Sequence, residues 1–170
     1  MRVLGWISPG TWPAVVRALR ERPDDDDLHL VAVSDPGAAL PHEPASLFGR
    51  GHHHDDATRT TLSEQGARDL IDQAVARLGR ECTAEVLTGR TERVVVHAAA
   101  DADRIVLARD GDRSRLGPHS LGPDIRFVLD HAPCTVELLW PEQPPALSTI
   151  PPPPPRDQPE RGAHRPGLHL

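Results

Sequence analysis

The sequence contains no lysine, so all 19 of its fixed positive charges are arginine, set against 25 carboxylates. The formal net charge is −6, and Asp24 to Asp27 form an acidic run. A chain with this balance is not built to neutralise phosphate backbones, and nucleic acid is not an expected partner. Cysteine is also scarce. Cys82 and Cys134 are the only two and make no CxxC pair, which excludes the disulfide-dense scaffold of small secreted domains. Both read as reduced packing residues, and with no lysine anywhere to depress its pKa, Cys134 is not a candidate nucleophile. No apolar stretch approaches the roughly 20 residues that span a bilayer, so no membrane is expected. Met1 to Gly5 runs into a charged helix without a signal-peptide pattern, which makes the cytoplasm the expected location. No Ser-His-Asp order, framed carboxylate pair or His/Cys ligand spacing stands out, and the chain is not expected to be an enzyme.

Proline, by contrast, is abundant and unevenly placed: ten of the 19 lie between Pro141 and Pro166, including the run Pro151 to Pro155. That stretch has almost nothing apolar to offset its ordering entropy, so residues 1–140 are the expected folding unit and 141–170 a disordered, proline-rich tail. A polyproline II ligand for a partner is the alternative use of that run.

Within the folding unit, apolar runs alternate with amphipathic segments. Arg2 to Trp6 reads as a strand, followed by a turn at Ser8-Pro9-Gly10 and a helix with Thr11 as its N-cap, ending at Pro23. Leu28 to Val33 is a second strand, and residues 37–60 read as a polar loop. Thr61 and Glu64 match a capping box, opening a helix whose apolar residues from Ala67 to Leu78 recur at spacings of three and four. Ala84 to Leu87 is a strand, Thr91 to Ala100 a helix, Arg104 to Ala108 a buried strand, Leu121 to His131 a helix, and Cys134 to Trp140 the last strand. This order predicts an α/β fold, a doubly wound parallel five-stranded sheet of order 3-2-1-4-5 with helices on both faces. Any ligand would lie in the crevice beyond the carboxyl ends of the strands. In that order Cys82 and Cys134 start opposite outer strands, too far apart to bridge.

The segments Ile105-Val106-Leu107-Ala108-Arg109-Asp110-Gly111, Leu121-Gly122-Pro123 and Asp130-His131-Ala132-Pro133-Cys134-Thr135-Val136, with the element order, resemble the universal stress protein family. Gly89-Arg90 ahead of the third helix fits as well, and the resemblance spans residues 2–140. It implies a Rossmann-like fold of the adenine-nucleotide alpha-hydrolase kind and a stress-related regulatory role. Nucleotide-binding members have two glycines three positions apart after the fourth strand, then nine residues, then glycine with serine or threonine. Here Ala108 stands at the first glycine, ten residues separate Gly111 from Gly122, and Pro123 replaces the hydroxyl residue, removing two phosphate donors. The aspartate that the family tends to carry after the first strand is Ile7 or Ser8.

The implied site is therefore a degenerate one for ATP or AMP, comprising Ser8, Ala108, Arg109, Gly111, Arg113, Arg115 and Gly122. Its arginines would meet phosphate directly, countered by Asp110 and Asp112. A non-binding dimeric interaction module is the alternative. A third reading is a metal-responsive protein using His52, His53, His54, Asp55 and Asp56, although adjacent histidines in an extended chain point in alternate directions and a closed site would need further ligands. The last strand, Thr135, Val136, Glu137, Leu138, Leu139 and Trp140, is expected at a sheet edge. An uncovered edge with a single charge, Glu137, predicts a homodimer through it, as the resemblance also implies.

Overall fold

A computed structural model describes residues 1–35 and 55–152, without the side chains of 55–63. Five strands form one parallel sheet: β1 (Arg2–Trp6), β2 (Asp27–Ser34), β3 (Thr83–Thr88), β4 (Arg104–Ala108) and β5 (Thr135–Leu139). Their order is β3-β2-β1-β4-β5, as the alternation of elements predicts. The four helices are α1 (Trp12–Arg20), α2 (Asp55–Leu78), α3 (Thr91–Ala98) and α4 (Pro123–His131). No helix among the described residues is long and apolar enough to cross a membrane.

Because strand side chains alternate between faces, each strand feeds two cores. Val3, Val106 and Ala108 join α1 and α2 residues such as Val15, Leu19, Ile71 and Ala74 on one face. Leu4, Trp6, Ile105 and Leu107 join Val95 of α3 and Ile125 and Val128 of α4 on the other. A sheet buried on both sides requires near-continuous apolar strands, and β4 meets that demand with four consecutive buried residues, Ile105 to Ala108.

Several boundaries differ from those expected. Helix α2 begins at Asp55, so Thr61 lies two turns inside it and is no capping residue; Glu64 pairs instead with Arg68. The sequence places Asp55 and Asp56 in that first turn, where the helix dipole favours acidic residues, and this outweighs the weak propensity of the threonines that follow. Helix α1 ends at Arg20 rather than Pro23. Arg80 covers its last turn, donating to the carbonyls of Leu19 (3.3 Å), Arg22 (2.8 Å) and Pro23 (2.8 Å). Helix α4 starts at Pro123, not Leu121, since proline at the first helical position loses no hydrogen bond that the helix would have made. Cys82 and Cys134 are free thiols beside the two outer strands. Of the residues read as a loop, 37–54 lie outside the described residues, as do the side chains of the whole proposed metal set, His52 to Asp56.

A candidate nucleotide crevice

Strand order reverses between β1 and β4, so their carboxyl ends open the crevice in which doubly wound sheets take ligands. Ser8, just past β1, turns the chain into α1. Its carbonyl accepts from the amides of Thr11 (3.3 Å) and Trp12 (3.0 Å) and from the Thr11 hydroxyl (3.4 Å), so the Ser8 carbonyl, and not the expected Thr11 side chain, takes the first amide of α1. Ala108 ends β4 with its methyl in the α1/α2 core. The β-carbon expected to crowd this position is thus absorbed by packing.

The loop from Arg109 to Gly122 is zipped to itself. The Gly111 amide donates to the Ser120 carbonyl (3.1 Å) and the Asp112 amide to the His119 carbonyl (2.8 Å). Gly111 is required by this approach: a Cβ there would lie 2.4 Å from the His119 oxygen and 2.8 Å from the Ser120 carbonyl carbon. Gly122 caps α4, and its amide donates to Asp110 Oδ1 (2.7 Å). The glycine amides expected at a phosphate are therefore engaged within the loop.

Two of the three arginines are engaged as well. The Arg109 guanidinium lies 4.5 Å over the Trp140 ring and donates to the Ser120 hydroxyl. Burial holds its pKa below the ordinary arginine value, and its Nε is buried without a partner among the described residues. Arg113 donates to the Arg109 carbonyl (3.3 Å) and lies 3.5 Å from Glu142. Arg115 is exposed. The structure thus brings Arg109, Gly111, Arg113 and Gly122 into one loop, while Ser8 stands across the crevice at the end of β1.

Carboxylates absent from the expected set dominate the rest of the site. Asp35, which follows β2, accepts from the amide (3.1 Å) and hydroxyl (3.3 Å) of Thr91 at the start of α3. Glu92 is buried beside Arg90, with which it pairs. Asp124, in the first turn of α4, has its pKa raised by burial and then by Glu92, Asp110 and Asp35. Asp112 is held below the usual carboxylate range by the Ser114 hydroxyl and amide. The sequence signal was slight and marks only Asp35, an aspartate one residue past a strand end and directly ahead of a proline turn; nothing comparable marks Glu92, Asp112 or Asp124. The segment after β5 also reaches the loop, since the Leu116 amide donates to Thr149 Oγ1 (3.0 Å) from a 3-10 turn at Leu147–Thr149. Composition alone assigned that segment no contact.

These features define a Rossmann-like α/β domain with a loop-and-helix crevice at its switch point. No family profile matches the sequence, and no curated protein matches it. Solved universal stress protein structures share the fold. One from Lactobacillus plantarum matches with a TM-score of 0.54 and 18% identity over 82% of this chain and 97% of that one. A universal stress protein in complex with cAMP matches with a TM-score of 0.52 and 16% identity, covering 84% and 98%. A family member from Arabidopsis thaliana with AMP bound matches with a TM-score of 0.50 and 15% identity, covering 89% and 95%. The fold implied by residues 105–140 is therefore the fold this chain adopts.

Proposed function

We propose that this chain is a cytoplasmic, non-enzymatic regulatory protein of the universal stress protein kind that takes an adenine nucleotide, ATP or AMP, weakly in this crevice. The observation that carries the reading is the placement of the Arg109–Gly122 loop and the α4 N-terminus together at the switch point of the sheet. The two solved structures that hold AMP and cAMP support an adenine nucleotide over other ligands. Weakness follows from the loop, because a phosphate must compete for amides that already have partners. With a dissociation constant on the order of 1 mM, 5 mM AMP stabilises the fold by about 1 kcal/mol by mass action. That is a rise of a few degrees in Tm for a domain of this size. No rise with ATP or AMP, with and without magnesium, and no adenine nucleotide carried through purification would contradict the reading.

A second reading concerns assembly. Strand β5 ends the sheet and, among the described residues, pairs with β4 alone. Its expected gatekeeper, Glu137, is tied to Arg104 (3.0 Å) and lies 3.5 Å from Arg22. We infer that the outer backbone of Thr135 to Trp140 pairs with a second copy, which makes a homodimer through this edge. Light scattering at micromolar concentration tests it: a monomeric mass, or a dimer that survives Leu138→Pro, counts against this interface.

A further inference from the structure

We propose that Asp110 is a built-in substitute for a ligand phosphate, an autoinhibitory contact that keeps the crevice loop closed until an anion displaces it. The inference rests on the reading of the crevice as a nucleotide site.

The contact sits where an anion is most favoured. Pro123 is the first residue of α4 and has no amide hydrogen, so the Gly122 amide is the leading donor at that helix end. Asp110 Oδ1 accepts it at 2.7 Å, and both carboxylate oxygens stand 2.7 Å from where a Gly122 Cβ would be. The carboxylate therefore lies flat against the helix cap, in the space that only glycine leaves open. A phosphate oxygen approaching the same amide would need that space.

Asp110 is also poised to leave. Its residue is exposed, and among the described residues no arginine pairs with it: Arg109 is stacked on Trp140 and Arg113 turns to Glu142. What holds it is the amide and the partial positive charge of the helix end. Asp124, in the first turn of the same helix, acts against it by repulsion: after burial, Asp110 is among the carboxylates that raise the pKa of Asp124. A phosphate monoester brings more charge and more acceptor oxygens to the same donor, so exchange at the cap is feasible for phosphate and not for a neutral nucleoside. The neighbouring helix uses the same device, with Asp35 on the Thr91 amide. There the threonine hydroxyl adds a second bond to the carboxylate, which makes that contact the more permanent of the two.

The test compares wild type with Asp110→Gly and Asp110→Asn, the second keeping the shape of the side chain if the first folds poorly, and with Asp72→Asn, exposed on α2 and outside the crevice, as a control. The Gly122 amide is followed by nitrogen-resolved NMR, and AMP and inorganic pyrophosphate are titrated by calorimetry. The expected result is a large shift of the Gly122 amide on substitution of Asp110. Both ligands should then bind at least about tenfold more tightly, equivalent to removing one charge-assisted competitor, with no change in the control. A Gly122 resonance that ignores the substitution overturns the contact. AMP binding equally to all proteins overturns the substitute role while leaving the nucleotide site standing. Tighter pyrophosphate without AMP binding supports Asp110 and removes the nucleotide reading. Binding of neither ligand to any protein overturns both.

Discussion

Replacing Gly111 by alanine tests whether the crevice loop is held by its own backbone. The added Cβ would fall 2.4 Å from the His119 carbonyl oxygen, 2.8 Å from the Ser120 carbonyl carbon and 3.0 Å from the Leu121 nitrogen, all of them backbone atoms with no side-chain freedom to yield. The two strands of the loop must therefore part. Parting them breaks the Gly111–Ser120 bond (3.1 Å) and the Asp112–His119 bond (2.8 Å). Two such bonds contribute roughly 1 kcal/mol each, and residual strain brings the expected loss to about 2–3 kcal/mol. For a domain of this size that is a fall in Tm of roughly 6–12 °C, readable by calorimetry or circular dichroism. Gly66, exposed inside α2 with nothing within 4 Å of its Cβ position, supplies the contrast. There alanine should stabilise by about 0.5–1 kcal/mol, because glycine weakens a helix interior. Equal effects at the two positions, or an unchanged Tm for Gly111→Ala, would refute the zipped loop.

The pKa of Asp124 is raised in the folded state, so folding takes up protons and stability falls as pH climbs from its unfolded value through its folded one; Asp124→Asn should stabilise at neutral pH and flatten that slope in a denaturant titration. A steeper slope in the variant would reverse the sign of this argument. Ending the chain at Trp140 removes the Thr149 and Glu142 contacts, which should speed amide exchange at Leu116 while costing less than about 1 kcal/mol of global stability, since exposed contacts count for little. Unchanged protection at Leu116 would show that the segment does not clasp the loop. Burial raises the thiol pKa of both Cys82 and Cys134, so alkylation at neutral pH should run slower than for free cysteine, and a faster rate at either would contradict their assignment as packing residues.

Apolar periodicity carried most of the architecture. Strands such as Ile105 to Ala108 and the α2 repeat from Ala67 to Leu78 announce burial directly, and their alternation leaves few sheet orders open. What periodicity cannot supply is the partner of a polar side chain. Asp110 reads in one dimension as a charge countering Arg109, whereas the fold carries it twelve residues along to the Gly122 amide. Arg109 reads as a phosphate ligand, yet Trp140 comes within reach of it because β5 lies beside β4. Asp35 and Thr91 are 56 residues apart and meet only because two strand ends open on one crevice. The start of α2 escapes the sequence for a different reason: a capping-box pattern at Thr61 and Glu64 competes with an earlier acidic turn, and the pattern alone does not decide between them.

The central claim is that this crevice, at the carboxyl ends of β1 and β4, is the place where an adenine nucleotide meets the chain. Titrating AMP into protein labelled with nitrogen-15 glycine tests it at individual residues. The account predicts shifts at Gly111 and Gly122, saturating in the millimolar range, with Gly79, beside the opposite end of the sheet, unmoved. Shifts confined to Gly79, or none at Gly111 and Gly122 with AMP in large excess, would contradict it.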